Sequence, residues 1–258
     1  MLLSHTAAEL AGALAGGLAA SVLTAAPAGA VVAGSPVNAA ATPWLASVGS
    51  PAFFIRPSGQ FCGGTLIASD KLVTAAHCVS MFRYTPQLIT ATFGRTDLTA
   101  GGGVTVTAKQ VWVHPGFHET TFRGETVEHN DVAVLTLAKQ LSRPVLKIAT
   151  PDVYRNPTAQ ILGWGTTSES DIFNTRLRSA TVPVVADAAC ATAYGSSFER
   201  SNMVCAGSPK ADTCLFDSGG PLIINGRLAG LTSWAYGCAR AGFPGVYTRL
   251  PALAGSLP

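Results

Sequence analysis

Apolar residues in this chain come in short runs that stop at turn residues, and a chain patterned this way has few means of burying them except β-strands. The runs are Trp44–Val48, Thr65–Ile67, Lys71–Thr74, Val104–Thr107, Val111–Val113, Val132–Leu137, Gln160–Trp164, Thr181–Val185, Pro221–Ile224, Leu228–Trp234 and Gly245–Thr248. Between them stand Gly63-Gly64, Gly101-Gly102-Gly103, Pro115-Gly116 and Asn225-Gly226. Short strands at regular spacing with frequent turn signals predict a sandwich or barrel. Asn-Gly between two apolar runs is a strong hairpin signal. Helix signals are confined to Ala75–Val79, Ala186–Tyr194 and a short piece near Pro251. No repeat at solenoid periods is present. The fold class is all-β.

Composition narrows the function classes. Of 258 residues, 48% are apolar and 12% charged, which favours a packed core over disorder. The net charge of +3 is too small and too scattered for a nucleic-acid footprint. Outside the N-terminus no uninterrupted apolar run approaches the ~18 residues of a membrane span, which excludes a multi-pass protein. The exception, residues 1–30, has no Lys or Arg and one acid, Glu9. Its Ala11–Leu23 stretch matches the apolar core of a signal peptide, and Ala28-Gly29-Ala30 supplies a small-x-small cleavage site. Residues 1–30 are therefore read as a signal peptide, and the remaining 31–258 as a secreted, extracellular domain.

Export gives the six cysteines a meaning: an even number in an oxidising compartment reads as three disulfides, with 15 possible pairings. The absence of a CxxC pair, or of a His at finger spacing from a Cys, argues against structural zinc. His114, His118, Glu125, Glu128 and His129 crowd one region, but Pro115-Gly116 prevents the first two histidines from sharing a helix face. A solvated loop is expected there, with no metal and no cofactor. Gly101–Gly103 reads as a flexible hairpin tip.

Three local sequences carry chemistry: Thr74-Ala75-Ala76-His77-Cys78, Asn130-Asp131-Val132-Ala133-Val134-Leu135, and Asp212 through Pro221, which contains Asp217-Ser218-Gly219-Gly220. In chain order they supply a base, an orienting acid and a nucleophile. A serine hydroxyl is unreactive at neutral pH and needs an imidazole, held by a carboxylate, to take its proton. An α/β-hydrolase requires its His after the Ser, whereas the last His here is His129. A subtilisin-like order requires an Asp before the His, and the β-rich pattern lacks the alternating helices of that class.

The order His, Asp, Ser, together with TAAHC, NDVAVL, DSGGP, GWG at 163–165, SWA at 233–235 and PGVYT at 244–248, resembles the chymotrypsin/trypsin family over nearly all of Val31–Leu250. CVS after the His and SWAYGCAR are similar to the bacterial trypsins. The resemblance implies two six-stranded antiparallel β-barrels, about 31–145 and 146–258, with the active site in the cleft between them and a short C-terminal helix. It implies His77 as general base and acid, Asp131 as its support, Ser218 as nucleophile, and Ser233 as a further holder of Asp131. It pairs Cys62 with Cys78, Cys190 with Cys205, and Cys214 with Cys238, each worth about 3 kcal/mol through loop entropy. Asp212, six residues before the nucleophile, stands where trypsins place the carboxylate that selects Arg or Lys. Gly245 leaves one pocket wall open, and Tyr194 also matches. Substrates would be proteins or peptides cut after Arg or Lys, proteinaceous inhibitors would be partners, and the protein would be a monomer. In the family a freed Ile or Val terminus pairs with the Asp before the nucleophile, so Val31 and Asp217 are the implied ion pair. No Arg or Lys precedes Val31, so cleavage after Ala30 is expected to create that terminus directly.

The departures are as informative as the matches. Phe216 stands where the family has the glycine whose N–H, with that of Ser218, forms the oxyanion hole. The donor survives, but a positive φ at Phe216 would cost about 1–2 kcal/mol, and the ring would crowd the side receiving residues after the scissile bond. On this reading Phe216→Gly raises kcat and improves the binding of bulky inhibitors. Ala235 replaces the glycine of SWG at the pocket mouth, and Ala33 replaces the first glycine of the usual terminus. These changes sustain an alternative, a trypsin-fold pseudoenzyme that binds proteins without cutting them.

Overall fold

The computed structural model describes residues 31–171 and 173–258. The expected signal peptide lies outside them. A two-residue strand β1 (Ser35–Pro36) opens the described chain. The first barrel is built from β2 (Leu45–Gly49), β3 (Gln60–Ala68), β4 (Lys71–Thr74), β5 (Thr90–Phe93), β6 (Val104–Val113) and, after the hairpin β7 (His118–Phe122) and β8 (Glu125–His129), β9 (Ala133–Leu137). It closes in the order β2-β3-β4-β9-β6-β5, all antiparallel. The second uses β10 (Thr158–Gly163), β11 (Arg178–Val185), β12 (Met203–Ala206), β13 (Pro221–Ile224), β14 (Arg227–Trp234) and β15 (Gly245–Arg249). Its order is β11-β10-β13-β14-β15-β12, closed by β11 on β12, with β1 paired outside on β11. Three short helices complete the elements relevant here: α1 (Ala76–Val79), α2 (Asp187–Tyr194) and α3 (Leu250–Leu253).

Period-two alternation explains why so many strand residues are buried. Successive side chains face opposite sides of a strand. Leu72 and Leu135 point into the first barrel with Val48, Leu66, Ile89 and Phe93. Their neighbours Val73 and Val134 join Leu45 in a second cluster that includes Leu162, Trp164, Leu228 and Leu231 of the other barrel. A third cluster, with Ile161, Val204, Leu222 and Tyr247, fills the second barrel. Strands buried on both faces read as continuous apolar runs, as Pro221–Ile224 does.

The structure corrects the reading of 114–129. That region is a hairpin, with His118 opposite His129 and Phe122 opposite Glu125, not a solvated loop. His129 is buried, its ring stacks on His118 at 4.4 Å, and its Nε2 lies 2.8 Å from Thr120 Oγ1. The runs 104–107 and 111–113 are one strand, with a register shift between Ala108 and Gln110.

Candidate active site

His77 lies in α1, which follows β4 after Ala75, and Asp131 lies two residues before the start of β9, which pairs with β4 in register. Barrel closure thus brings together two groups 54 residues apart. The ring Nδ1 of His77 is 2.8 Å from Asp131 Oδ2, and the His77 backbone N–H donates to Asp131 Oδ1 at 2.9 Å. Ser233 on β14 donates through Oγ to Asp131 Oδ2 at 2.6 Å, and Thr248 Oγ1 on β15 donates to the Asp131 carbonyl, also at 2.6 Å. Burial of Asp131 works to raise its pKa, but the charge and hydrogen bonds of His77, with the Ser233 hydroxyl, outweigh it and hold the carboxyl below its ordinary value. For His77 the balance is the mirror image: burial lowers its pKa, the Asp131 carboxylate raises it, and the carboxylate prevails. An ionised Asp131 accepts from Nδ1–H, leaving the Nε2 lone pair as the basic position.

Ser218 comes from the loop between Cys214 and β13. This loop approaches the first barrel closely: Gly63 N–H donates to Ser218 O at 2.8 Å. Gly219 has φ +72°, and a Cβ there would lie 2.2 Å from Thr74 Oγ1 and 2.6 Å from Gly63 O. No other residue fits without moving the strand that leads to His77. Ser218 and His77 line one cavity of about 520 Å³ together with Phe216, Thr213, Cys214, Ser233, Trp234 and Ala235. Among the described residues Ser218 Oγ makes no hydrogen bond to His77. Such contacts tighten when substrate binds.

Phe216 has φ +71°, the left-handed conformation anticipated from the glycine it replaces. Among the described residues neither its N–H nor that of Ser218 donates to a protein acceptor. Asp212 is fully buried and does not itself line the cavity, although its neighbour Thr213 does. Its carboxylate accepts the N–H of Thr213 at 2.8 Å and of Gly245 at 3.1 Å, yet burial pushes it up to about 7. A Cβ on Gly245 would lie 2.6 Å from Asp212 Oδ1, so this glycine keeps the approach clear. Tyr194 OH donates to the carbonyl of Pro244, the residue before that glycine, at 2.7 Å. Ala235 is half-buried at the cavity wall.

Asp217 is buried, accepts the N–H of Gly165 at 2.8 Å and of Cys214 at 3.1 Å, and is pushed by burial up to about 7. Val31 is fully buried, and Val32 N–H donates to Asp212 O at 2.9 Å. The disulfides are Cys62–Cys78, Cys190–Cys205 and Cys214–Cys238. The first pair accounts for the Cys62, His77, Cys78 group of potential metal ligands, since both sulfurs are bonded to each other.

Sequence reasoning missed two contributions. Glu128, assigned to a solvated loop, lines the cavity with His77, and burial pushes its carboxyl up to about 8. Arg56 and Gln60 are buried against the loop that carries Ser218. Neither had a local motif, and the apolar Phe53-Phe54-Ile55 before Arg56 gives no sign of a buried cation, since Phe54 and Ile55 are exposed.

A closed double barrel whose cleft holds a histidine, a buried aspartate and a serine defines the double-barrel class of serine hydrolases. A sequence model of the trypsin family matches residues 31–255. The trypsin of Saccharopolyspora erythraea is 43% identical over 204 residues, covering 77% of this chain and 86% of that protein. A trypsin-like protease of Streptomyces glaucescens is 39% identical over 201 residues, 75% of this chain and 72% of that one. Trypsin-1 of Astacus astacus is 36% identical over 210 residues, with 76% and 86% covered. The chain belongs to the trypsin family of serine proteases.

Proposed function

We propose that this protein is a secreted, monomeric serine endopeptidase that cleaves after Arg and Lys through an acyl-enzyme. The observation that carries the reading is the buried Asp131 accepting from the His77 ring, in a cleft shared with Ser218 and with two N–H groups that donate to none of the described residues. Ser218 Oγ attacks the scissile carbonyl carbon while His77 Nε2 takes its proton. The resulting oxyanion is met by the N–H groups of Phe216 and Ser218. As the C–N bond breaks, His77 returns the proton to the departing amine. Water then attacks the Ser218 ester, its proton again passing through His77, and releases the acid product. Residues 31–145 and 146–258 would form the two halves of the cleft.

Asp212 supports the choice of Arg and Lys. A buried carboxylate pushed up to about 7 is largely neutral in the free protein below that pH. A guanidinium or ammonium brought against it favours the ionised form, so binding of a cationic side chain expels a proton. The sign follows: KM for a P1-Arg amide falls as pH rises through about 7, then levels. A P1-Phe or P1-Ala amide shows no such change. For all three, kcat climbs on the alkaline side, because His77 must lose a proton that Asp131 helps it keep. The test is a pH series on P1-Arg, P1-Phe and P1-Ala anilides. Equal kcat/KM for the three removes the specificity assignment, and absent turnover of all three favours the non-cutting alternative.

Val31 and Asp217 support activation by leader removal. Asp217 is buried with backbone donors, and an ammonium at Val31 would add to the opposite charge of Arg56, which already works to lower the Asp217 pKa against its burial. Breaking such a buried pair costs about 3–5 kcal/mol. N-terminal sequencing of the secreted, active protein is expected to begin at Val31. Full activity in a form beginning elsewhere removes the ion pair.

A further inference from the structure

Phe216 is a bulky residue held in a backbone conformation that glycine adopts freely and phenylalanine does not. Phe216 lines the cavity shared by His77 and Ser218, and the direction of its N–H depends on that conformation. The peptide on each side of it is tied down. Thr166 N–H donates to Leu215 O at 2.8 Å, and because the peptide is trans the Phe216 N–H points the opposite way from that anchored carbonyl. On the other side Gln60 Nε2 donates to Phe216 O at 2.9 Å. The Phe216 ring lies under the Arg56 guanidinium, 4.4 Å from ring centroid to Cζ.

Arg56 and Gln60 form one unit. Arg56 Nε donates to Gln60 Oε1 at 2.8 Å, which orients the amide so that its NH₂ reaches Phe216 O and, at 3.2 Å, Cys62 O. Arg56 Nη2 donates to Trp164 O at 2.7 Å and Asn174 O at 2.6 Å, both in the second half of the chain. Arg56 and Gln60 are themselves 4% and 1% exposed, so the unit is rigid. A planar guanidinium suits this role because it stacks on a ring while its edge donates to carbonyls.

We propose that Arg56 and Gln60 are positioning residues that clamp Phe216 at positive φ and so keep its N–H aimed at the developing oxyanion. The inference rests on the serine-protease reading above and adds to it the groups that let a phenylalanine serve where glycine is usual. The clamp acts on the transition state and leaves the P1 pocket untouched.

The experiment compares Arg56→Ala, Gln60→Leu and Phe216→Gly, singly and in pairs, as the secreted protein. Arg56→Ala and Gln60→Leu are each expected to lower kcat on a P1-Arg anilide by about 10-fold or more, short of the ~10²–10³ for outright loss of a donor. KM stays within about 2-fold. A P1-Arg aldehyde, whose adduct carries the oxyanion, loses affinity by about the factor lost in kcat/KM, while an arylamidine that fills only the P1 pocket binds as before. With Phe216→Gly present, where the backbone needs no clamp, the same substitutions cost less than about 3-fold. An equal loss of kcat in both backgrounds, or no loss in either, overturns the clamp. Should Arg56→Ala not fold, Gln60→Leu decides alone. If the wild type neither turns over substrate nor binds the aldehyde, the protease reading has failed. The crystal structure of Gln60→Leu then judges the clamp: Phe216 still at positive φ overturns it, and a relaxed Phe216 supports it.

Discussion

Ser218→Ala is expected to lower kcat on a P1-Arg anilide by about 10⁶-fold, with KM changed only a few-fold. The fold of the loop should survive, because it is set by backbone bonds the substitution leaves alone. Gly63 N–H holds Ser218 O, Gly219 N–H donates to Thr232 O at 2.8 Å, and Gly220 N–H donates to Asp217 O at 2.9 Å. The Phe216 and Ser218 N–H groups remain, so a residual ~10³–10⁴-fold acceleration over water is expected to survive. The melting temperature should stay within a few degrees, since the lost hydroxyl makes no hydrogen bond to a described residue. Turnover in the alanine variant above a tenth of wild type would place the nucleophile elsewhere.

Asp131→Asn is expected to cost about 10⁴-fold in kcat while leaving the fold intact. The carboxylate takes three donors at once: the His77 N–H, the His77 ring Nδ1–H and the Ser233 hydroxyl. An amide has one oxygen and one NH₂. With the backbone N–H of His77 claiming the oxygen, the NH₂ faces Nδ1, and the ring responds by carrying its proton on Nε2. The lone pair then points at the amide instead of at Ser218, and the base is lost. The charge is lost as well, and with it the influence that raises the His77 pKa. NMR titration of His77 should therefore show its pKa falling in the variant. A loss of kcat with the His77 pKa unmoved would mean that the substitution perturbs packing, not the tautomer.

The strands that could be read from the chain are those whose burial is supplied by their own residues. Lys71–Thr74 and Pro221–Ile224 have the observed limits. Val104–Val113 reads as two runs because Ala108-Lys109-Gln110 breaks the apolar pattern, and the break is where the register shifts. The hairpin 118–129 escaped notice because most of its residues are polar and exposed. Its pairing brings Glu128 into the cleft and buries His129, which no local pattern of His and Glu foretells. The serine, histidine and aspartate segments were legible as short strings, since each needs its own neighbours: Gly219 for the close approach to Thr74, and Asp131 just before a core strand.

The family resemblance marked Phe216 as filling a glycine position, while the chain's own residues carried the all-β class and the order His77, Asp131, Ser218. These are matters of period, punctuation and residue chemistry, which act between near neighbours. Six cysteines admitted 15 pairings on count alone, and barrel closure realises one of them. Closure also decided that Val73 faces the other barrel while Leu72 faces its own, and that Asp212 is buried deeply enough to be pushed up to about 7. Above all it decided that Arg56 and Gln60, more than half the chain away from Phe216, hold that residue in place. Such contacts depend on where two closed sheets meet, and nothing within a few residues of Arg56 encodes that meeting.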